Sequence, residues 1–351
     1  MSEITRRRVA PDVTRAIALI GVVVMNYHGS MNDVRHPSGF WDHLFHPYTG
    51  VLSTRFAATF VVVAGVSVSL MSRSNDIALR SRLLRRGLVL YAAGLALNHA
   101  WGGTIIFYYG AYLMIAAIVV KWSTRRLVVL SVVAILVSAT LSAWLATRET
   151  RTIGWLDPPR IDSLADLVGR TFTGYTHPVF PWIAFFTVGM IIGRHYESFE
   201  RSARKVIVVA ASFVAIVYVV VHLVRSSGIE NRSALGRFVS TEPFGRGIGY
   251  SLTTLGIAVI ALAVVSIGTR TETRFTRALQ ATGQTTLSLY LLHVVVYYVL
   301  FEWWSLVEPH GLSTALVVSG IFWIVAVIVA TTWREHFGLG PAERVYRAIG
   351  G

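Results

Sequence analysis

The stretch that decides the fold is DVTRAIALIGVVVMNYH, residues 12–28. It opens with a charged turn, Asp12 to Arg15, runs apolar as far as Met25, and ends on the polar residues Asn26, Tyr27 and His28. An apolar run that approaches roughly 20 residues is long enough to cross a bilayer as a helix. Polar groups at the rims of such a span are costly in lipid and usually have a function. The stretch therefore predicts a membrane-spanning helix with a candidate site at its end.

The composition of the whole chain agrees with a membrane protein. Hydrophobic residues make up 54% and charged residues 14% of the 351 residues, and the mean hydropathy is +0.58; a soluble domain has roughly a quarter charged residues. We find no cleavable signal peptide. The absence of cysteine excludes disulfides, thiolate catalysis and iron–sulfur clusters. The net charge of +14 arises from arginines between apolar runs, so membrane topology explains it and we predict no nucleic-acid partner.

Repeated apolar runs predict an all-α, polytopic integral membrane protein. We expect about ten transmembrane helices in one bundle, which forms a single domain over residues 1–351. The predicted spans are Asp12–Tyr27, Val51–Met71, Leu83–Asn98, Thr104–Val120, Leu127–Ala146, Val179–Ile192, Val206–Val224, Gly247–Ile267, Thr282–Phe301 and Ser313–Trp333.

The distribution of arginine and lysine predicts the orientation of these spans. With the N-terminus inside, most of the 32 Lys and Arg residues fall on the inner side of the membrane. We therefore expect cytoplasmic N- and C-termini and an external loop at residues 28–46. The preference for arginine over lysine is typical of a GC-rich bacterial genome, which predicts a bacterial inner (plasma) membrane. A polar outer segment that includes residues 162–167 is expected to start a short helix.

A loop rich in histidine follows the first predicted span. It contains His28, His36, His43 and His46. The last two have the helical spacing of a pair of metal ligands, but few carboxylates lie near to complete the site, so we predict no bound metal. Histidine also titrates near neutrality, which suits a general base. The remaining alternative is that these side chains are only solvated.

Four further polar residues within or beside spans permit two interpretations each. Asn26 ends an apolar run, so its amide must find partners, in a loop or in a catalytic site. Arg55 begins the second run and either snorkels to the interface or contacts an anion or carbonyl group. Tyr290 and His293 lie three residues apart and share a helix face. Polar groups within a membrane span are usually functional, so these two residues form a candidate site. The alternative is that they only join two helices.

Four short motifs occur in order along the chain. They are Asp12-x-x-Arg15 leading to Asn26-Tyr27 and a loop histidine, Pro181-Trp182 with Gly189 to Arg194, Ser288-Leu-Tyr290-Leu-Leu-His293, and Gly340-Pro341-Ala-Glu343-Arg344. Taken together they resemble the transmembrane acyltransferase superfamily, which includes heparan-α-glucosaminide N-acetyltransferase and the bacterial YeiB family. The typical YeiB ending has leucine and tryptophan beside its glutamate, whereas Ala342 and Arg344 flank Glu343 here.

The resemblance implies transfer of an acyl group, most simply acetyl, from cytosolic acyl-coenzyme A to an extracytosolic acceptor such as a sugar or glycolipid. By comparison with the heparan enzyme, His36 would be the general base and Asn26 would end the first span beside it. His28 is an alternative base, because the spacing in this chain is one residue shorter. Asn26, Arg55 or His293 would stabilise the developing oxyanion.

The donor implied by the resemblance is strongly anionic, which favours arginine. The residues predicted to contact acyl-coenzyme A are Arg15, Arg82, Arg85, Arg86, Arg55 and Tyr290. We expect this molecule to be a co-substrate and no cofactor to be bound permanently.

A transporter or flippase for an anionic lipid or sugar is the alternative function. It would use the same arginines and histidines without covalent chemistry. We find no inverted repeat or paired broken helices, which are its best sequence signature. The expected partners are acyl-coenzyme A, the acceptor and the lipid bilayer, with a homodimer possible.

Overall fold

A computed structural model describes residues 8–31, 39–72, 78–148 and 161–351, and all regular structure in these ranges is helical. In chain order the helices are α1 (Val9–Ser30), α2 (Gly39–Phe45), α3 (Arg55–Ser72), α4 (Leu79–Ala100), α5 (Ile106–Val119), α6 (Thr124–Ala146), α7 (Leu164–Phe172), α8 (Val179–Arg194), α9 (Tyr196–Arg201), α10 (Ala203–Ser226), α11 (Ala234–Val239), α12 (Ile248–Gly268), α13 (Arg274–Gln284), α14 (Thr286–Tyr297), α15 (Gly311–Phe337) and α16 (Pro341–Gly350). A π-helical turn, Tyr298–Trp303, continues α14.

Seven helices of the described chain are long and apolar enough to cross a membrane: α1, α3, α6, α10, α12, α14 with its π-helical turn, and α15. Two more apolar helices, α5 and α8, are shorter. The predicted third span corresponds to α4. The first half of α4 carries several arginines, which lower the mean hydropathy of the helix. The all-α membrane fold is therefore confirmed, and the number of ten spans stays a prediction.

The centre of the bundle is the close contact between α3 and α8. A Cβ atom at Gly65 would lie 1.9 Å from the backbone oxygen of Phe186, and one at Gly189 would lie 2.0 Å from that of Val62. Only glycine permits two backbones to approach so closely, which is a common way to pack helices in membranes. Around this pair the core is rich in fully buried aromatic side chains, with Trp182 the largest.

Other helices present apolar side chains to the surroundings. On α10, Val208 is 65% exposed and Ile216 is 60% exposed, and α15 exposes Ile324 to 66%. Such faces are expected where a helix borders lipid, because lipid tails are as apolar as these side chains. The core of the protein therefore lies around α1, α3 and α8, and α10 lies at the periphery.

The two ends of the bundle differ in character. At one end, which we call the arginine-rich end, α13 contacts the start of α1, because the backbone of Gly283 packs against that of Asp12. Helix α16 lies at the same end, since Glu343 contacts the start of α14. The opposite end, which we call the loop end, carries α2, α7 and α11. Ser163 caps α7, which confirms the short helix predicted near residues 162–167.

Candidate functional site

Asn26 and His293 form a partly buried polar pair between the last turns of α1 and the middle of α14. Their side chains meet at 3.1 Å, Asn26 Nδ2 to His293 Nε2. Nδ1 of the same ring is hydrogen-bonded to the backbone oxygen of Tyr290, and the His293 side chain is fully buried. Because a carbonyl only accepts, the ring proton lies on Nδ1, and Nε2 accepts a hydrogen bond from the Asn26 amide. Tyr27 fixes the same turn by donating to the backbone oxygen of His293 at 2.9 Å.

Tyr290 lies on the same face of α14 as His293, as its spacing predicted, with ring centroids 4.8 Å apart. Its hydroxyl is 3.2 Å from Thr104 Oγ1 and accepts a hydrogen bond from the backbone nitrogen of Ile105 at 3.4 Å. The Trp101 ring packs edge-on against His293 at 5.7 Å. These contacts attach the turn between α4 and α5 to the Asn26–His293 pair.

A cavity of about 360 Å³ opens from this pair toward the loop end. Asn26 and Tyr290 line it, whereas His293 lies behind Asn26. Its other walls include the aromatic residues Trp101, Tyr175, Tyr298, Tyr48 and Phe244, with smaller residues and Glu302 between them. A cavity of this size that is lined by aromatic rings and a few fixed polar groups is typical of a small-ligand site.

His177 lines the same cavity from the loop that precedes α8. Its ring packs edge-on against Trp182 at 4.5 Å, and its Nδ1 is buried with no hydrogen-bond partner in the described chain. Burial, together with the positive charge of Arg246, lowers the pKa of His177 to about 3. The cavity therefore contains a neutral imidazole as well as the Asn26 amide.

Arg246 is buried behind this wall, in the loop before α12. Its Nη1 donates to the backbone oxygen of Thr173 at 2.6 Å, while its Nε and Nη2 have no partner in the described chain. Burial lowers the pKa of Arg246 to about 10, although neighbouring tyrosines, Tyr108 first among them, act in the opposite direction. The guanidinium stays protonated at neutral pH and gives the loop end a fixed positive charge.

Arg55 is 3% exposed at the start of α3. It donates to the backbone oxygens of Ser53 at 2.9 Å and Thr241 at 3.4 Å, and its guanidinium lies 5.3 Å from the Tyr250 ring. Its neighbour Thr54, which does line the cavity, reaches the Tyr250 hydroxyl at 3.0 Å. Arg55 therefore supports the cavity wall, and its predicted contact with acyl-coenzyme A stays a prediction.

His28 and His46 are both tied to the loop after α2. Nδ1 of His28, a residue that is 3% exposed, lies 3.0 Å from the backbone oxygen of Phe45. Nδ1 of His46 accepts hydrogen bonds from the backbone nitrogens of Tyr48 at 3.2 Å and Thr49 at 3.0 Å. His28 does not line the cavity. Its geometry is that of a residue that positions this loop.

The predicted general base, His36, lies outside the described residues, so its role stays a prediction. His43 lies in α2. Within the described ranges no group of three or more His, Cys, Asp or Glu side chains is arranged to hold a metal ion.

At the arginine-rich end, Arg15 is the centre of an internal network. Its Nη1 donates to Asp12 Oδ1 at 3.0 Å and to the backbone oxygen of Gly283 at 3.1 Å, and its Nη2 donates to Ser67 Oγ at 2.8 Å. Gln284 donates to the other carboxylate oxygen of Asp12 at 3.0 Å. The network joins α1, α3 and α13, so Arg15 already has protein partners, and its predicted contact with a phosphate stays a prediction.

Arg82, Arg85 and Arg86 lie on the first half of α4, beside the C-terminal helix α16. The Arg86 guanidinium donates to the backbone oxygen of Gly351 at 2.5 Å and lies 5.6 Å from the Tyr346 ring. Arg85 is exposed. The structure thus brings these three arginines together at one end and Asn26, Tyr290 and His293 together near the other.

Two residues of this site, His177 and Glu343, were not predicted as site residues from the sequence. His177 lies outside the four motifs, and the available signal was its position beside Pro178 and just before the motif Pro181-Trp182. Glu343 accepts hydrogen bonds from the backbone nitrogens of Leu287 at 2.7 Å and Ser288 at 3.2 Å and from Ser288 Oγ at 2.5 Å. It therefore caps the helix that carries Tyr290 and His293, and its place in a recurrent motif was the available signal.

Two models of known families match the chain. The family model described as heparan-alpha-glucosaminide N-acetyltransferase, catalytic, matches residues 7–227, which include Asn26 and the cavity loops up to His177. The model described as a protein of unknown function (DUF418) matches residues 193–350, which include His293 and Glu343. No curated protein sequence shows significant similarity to the chain. The chain belongs to the superfamily of transmembrane acyltransferases that contains the heparan-α-glucosaminide N-acetyltransferase-like and YeiB-like proteins.

Proposed function

We propose that this protein transfers an acyl group, most simply acetyl, from acyl-coenzyme A to an acceptor bound in the cavity at the loop end. The acceptor is a sugar or glycolipid. The observation that carries the proposal is the Asn26–His293 pair at the base of an aromatic cavity, in a chain that belongs to a family of membrane acetyltransferases.

The Asn26 amide is suited to stabilise charge on the reacting carbonyl. An asparagine side chain carries two N–H groups. One of them is engaged by His293 Nε2 at 3.1 Å, and the Asn26 side chain also hydrogen-bonds to Tyr290 and lines the cavity. In the proposed reaction, a substrate oxygen takes the place of the Tyr290 hydroxyl at this amide. A donor that is fixed before the reaction stabilises an oxyanion more effectively than water does.

The proposed reaction is a direct acyl transfer. The acceptor hydroxyl or amine attacks the thioester carbonyl, the new C–O or C–N bond forms, the C–S bond breaks, and coenzyme A leaves as the thiol. The acceptor proton passes to a general base, for which the resemblance favours His36, and the base then returns this proton to the leaving sulfur. His28 remains the alternative base.

The donor site that we propose lies at Arg82, Arg85 and Arg86. From Arg86 the helix α4 runs to Ala100, which lines the cavity, over a length of about 21 Å at 1.5 Å per residue. Coenzyme A has a phosphate-rich nucleotide at one end and a thioester at the end of a long flexible arm. Phosphates held at Arg82, Arg85 and Arg86 are compatible with a thioester that extends along α4 toward Asn26.

Transfer of label from radioactive acetyl-coenzyme A to hexosamines, measured with purified protein, tests the reaction. We expect label to appear in the sugar, and Asn26→Ala to lower kcat by roughly 10²–10³-fold, as for other oxyanion-hole donors. Asn231→Ala is the matched control, because Asn231 is exposed in the loop before α11 and does not line the cavity.

Calorimetry with acetyl-coenzyme A tests the donor site separately. Replacing Arg82, Arg85 or Arg86 with glutamine removes one charged hydrogen bond, so each change should weaken binding by roughly 1.5–3 kcal/mol. Arg201→Gln, at an exposed position on α9, should leave affinity unchanged. A protein that neither binds acetyl-coenzyme A at millimolar concentration nor transfers label would contradict the proposal and favour a transporter.

A further inference from the structure

A shallow groove of about 480 Å³ lies at the start of α6, at the arginine-rich end and away from the cavity described above. Trp122, Arg125 and Arg126 surround its polar end, and its remaining lining is apolar: Val129, Leu130 and Val133. Val129 is 60% exposed and Val133 is 45% exposed. The groove therefore combines two cations with a strip of apolar surface that the protein leaves uncovered.

The two arginines of this groove lack an internal counter-ion. Neither Arg125 nor Arg126 forms an ion pair or a side-chain hydrogen bond in the described chain, whereas Arg8 at the same end pairs with both Glu197 and Glu200. Both guanidinium groups are exposed. They also sit in the first turn of α6, where the helix dipole adds to the positive potential.

We propose that this groove binds one anionic phospholipid, with the phosphate at Arg125 and Arg126 and an acyl chain along Val129 and Val133. Arginine matches phosphate with paired donors, and basic residues at the membrane surface attract anionic lipids. Trp122 lies where tryptophan is favoured, at the boundary between lipid and water. A free phosphate ion would satisfy the arginines and leave the apolar strip exposed, so the geometry points to a lipid.

Fluorescence quenching by brominated lipids tests the proposal without any knowledge of the substrate. The full-length protein is placed in bilayers of phosphatidylcholine that contain increasing fractions of brominated phosphatidylglycerol, or of brominated phosphatidylcholine as the neutral comparison. The signal of Trp122 is the difference between the wild type and Trp122→Phe. We expect half of this signal to be quenched at a fraction of brominated phosphatidylglycerol that is roughly five- to thirty-fold lower than the fraction of brominated phosphatidylcholine needed. This range corresponds to one or two arginine contacts.

Two double variants distinguish lipid binding at this groove from a general effect of positive surface charge. Arg125→Gln with Arg126→Gln should abolish the preference for phosphatidylglycerol, while Arg201→Gln with Arg204→Gln, at exposed positions away from the groove, should preserve it. Equal quenching by both lipids, an equal loss in both double variants, or full competition by millimolar inorganic phosphate would overturn the proposal. Acetyl-coenzyme A binding, measured on the same samples, tests the donor site independently.

Discussion

Asn26 is the residue at which an apolar helix, a buried imidazole and an open cavity meet. An amide suits this position, because it donates to His293 Nε2, also hydrogen-bonds to Tyr290 and lies at the wall of the cavity. An ionised aspartate of the same shape offers only acceptors and would face the lone pair of Nε2. A charge here would also lie among buried side chains, which is costly without a partner. The chemistry of the site therefore depends on a neutral donor at this position.

The first prediction at this scale separates His36 from His28. His36→Ala should lower the rate of acyl transfer by roughly 10²–10⁴-fold, because it removes proton transfer in the transition state, and should leave acetyl-coenzyme A binding intact. His28→Ala should instead lower Tm, because it removes the contact with the Phe45 backbone. Rates, calorimetry and thermal unfolding of both variants check this. If His28→Ala is inactive and His36→Ala is normal, His28 is the base.

The second prediction concerns His177 and pH. The pKa of His177 is lowered to about 3 by burial and by Arg246, from 6.5 in an unfolded chain. The unfolded state therefore binds more protons as pH falls below about 6.5, and the folded state loses stability between there and about pH 3. His177→Phe keeps the ring against Trp182 and removes this titration. We expect the Tm of the wild type to fall more than that of His177→Phe between about pH 7 and pH 5; equal falls would contradict the neutral imidazole.

At the scale of elements, α14 depends on a helix that is distant in sequence. The first amides of a helix have no internal partners, and at α14 Glu343 of α16 accepts from two of them. A negative group at this position also suits the helix dipole. The same α16 contacts Arg86 through Tyr346. Helix α16 therefore joins the proposed donor arginines to the helix that carries His293.

The third prediction tests this cap. Glu343→Ala leaves the amides of Leu287 and Ser288 without an acceptor, and should lower the free energy of unfolding by roughly 1–3 kcal/mol. It should also lower the rate of acyl transfer, because Tyr290 and His293 lose their fixed position. Glu335→Ala, at an exposed site on α15, should have neither effect. Chemical denaturation and initial rates provide the two measurements. Wild-type stability in Glu343→Ala would show that the cap contributes nothing.

At the scale of the molecule, local patterns predicted the helices, and long-range contacts decided the site. Apolar runs located the spans, but α1 extends past the predicted Asp12–Tyr27 to Val9–Ser30, since a helix does not end where its side chains become polar. The predicted Thr282–Phe301 begins in the last turn of α13 and continues through α14, and Glu343, distant in sequence, caps the start of α14. Periodicity showed that Tyr290 and His293 share a face. Periodicity contains no information on which helix that face meets, so the contact with Asn26 could be identified only from the three-dimensional structure.

The last prediction concerns orientation across the membrane. The loop end has buried arginines, such as Arg55 and Arg246, and the exposed Arg148 and Arg232. The other end exposes a larger set of cations: Arg80, Arg85, Lys121, Arg125, Arg126, Arg201, Arg204 and Lys205. Exposed cations near short loops are those that favour the cytoplasmic side. A fluorescent protein fused after Gly351 should therefore fold and fluoresce in the cytosol, and alkaline phosphatase inserted within residues 33–45 should be active outside. The reverse pattern would place the cavity on the cytoplasmic side and reverse the proposed direction of acyl transfer.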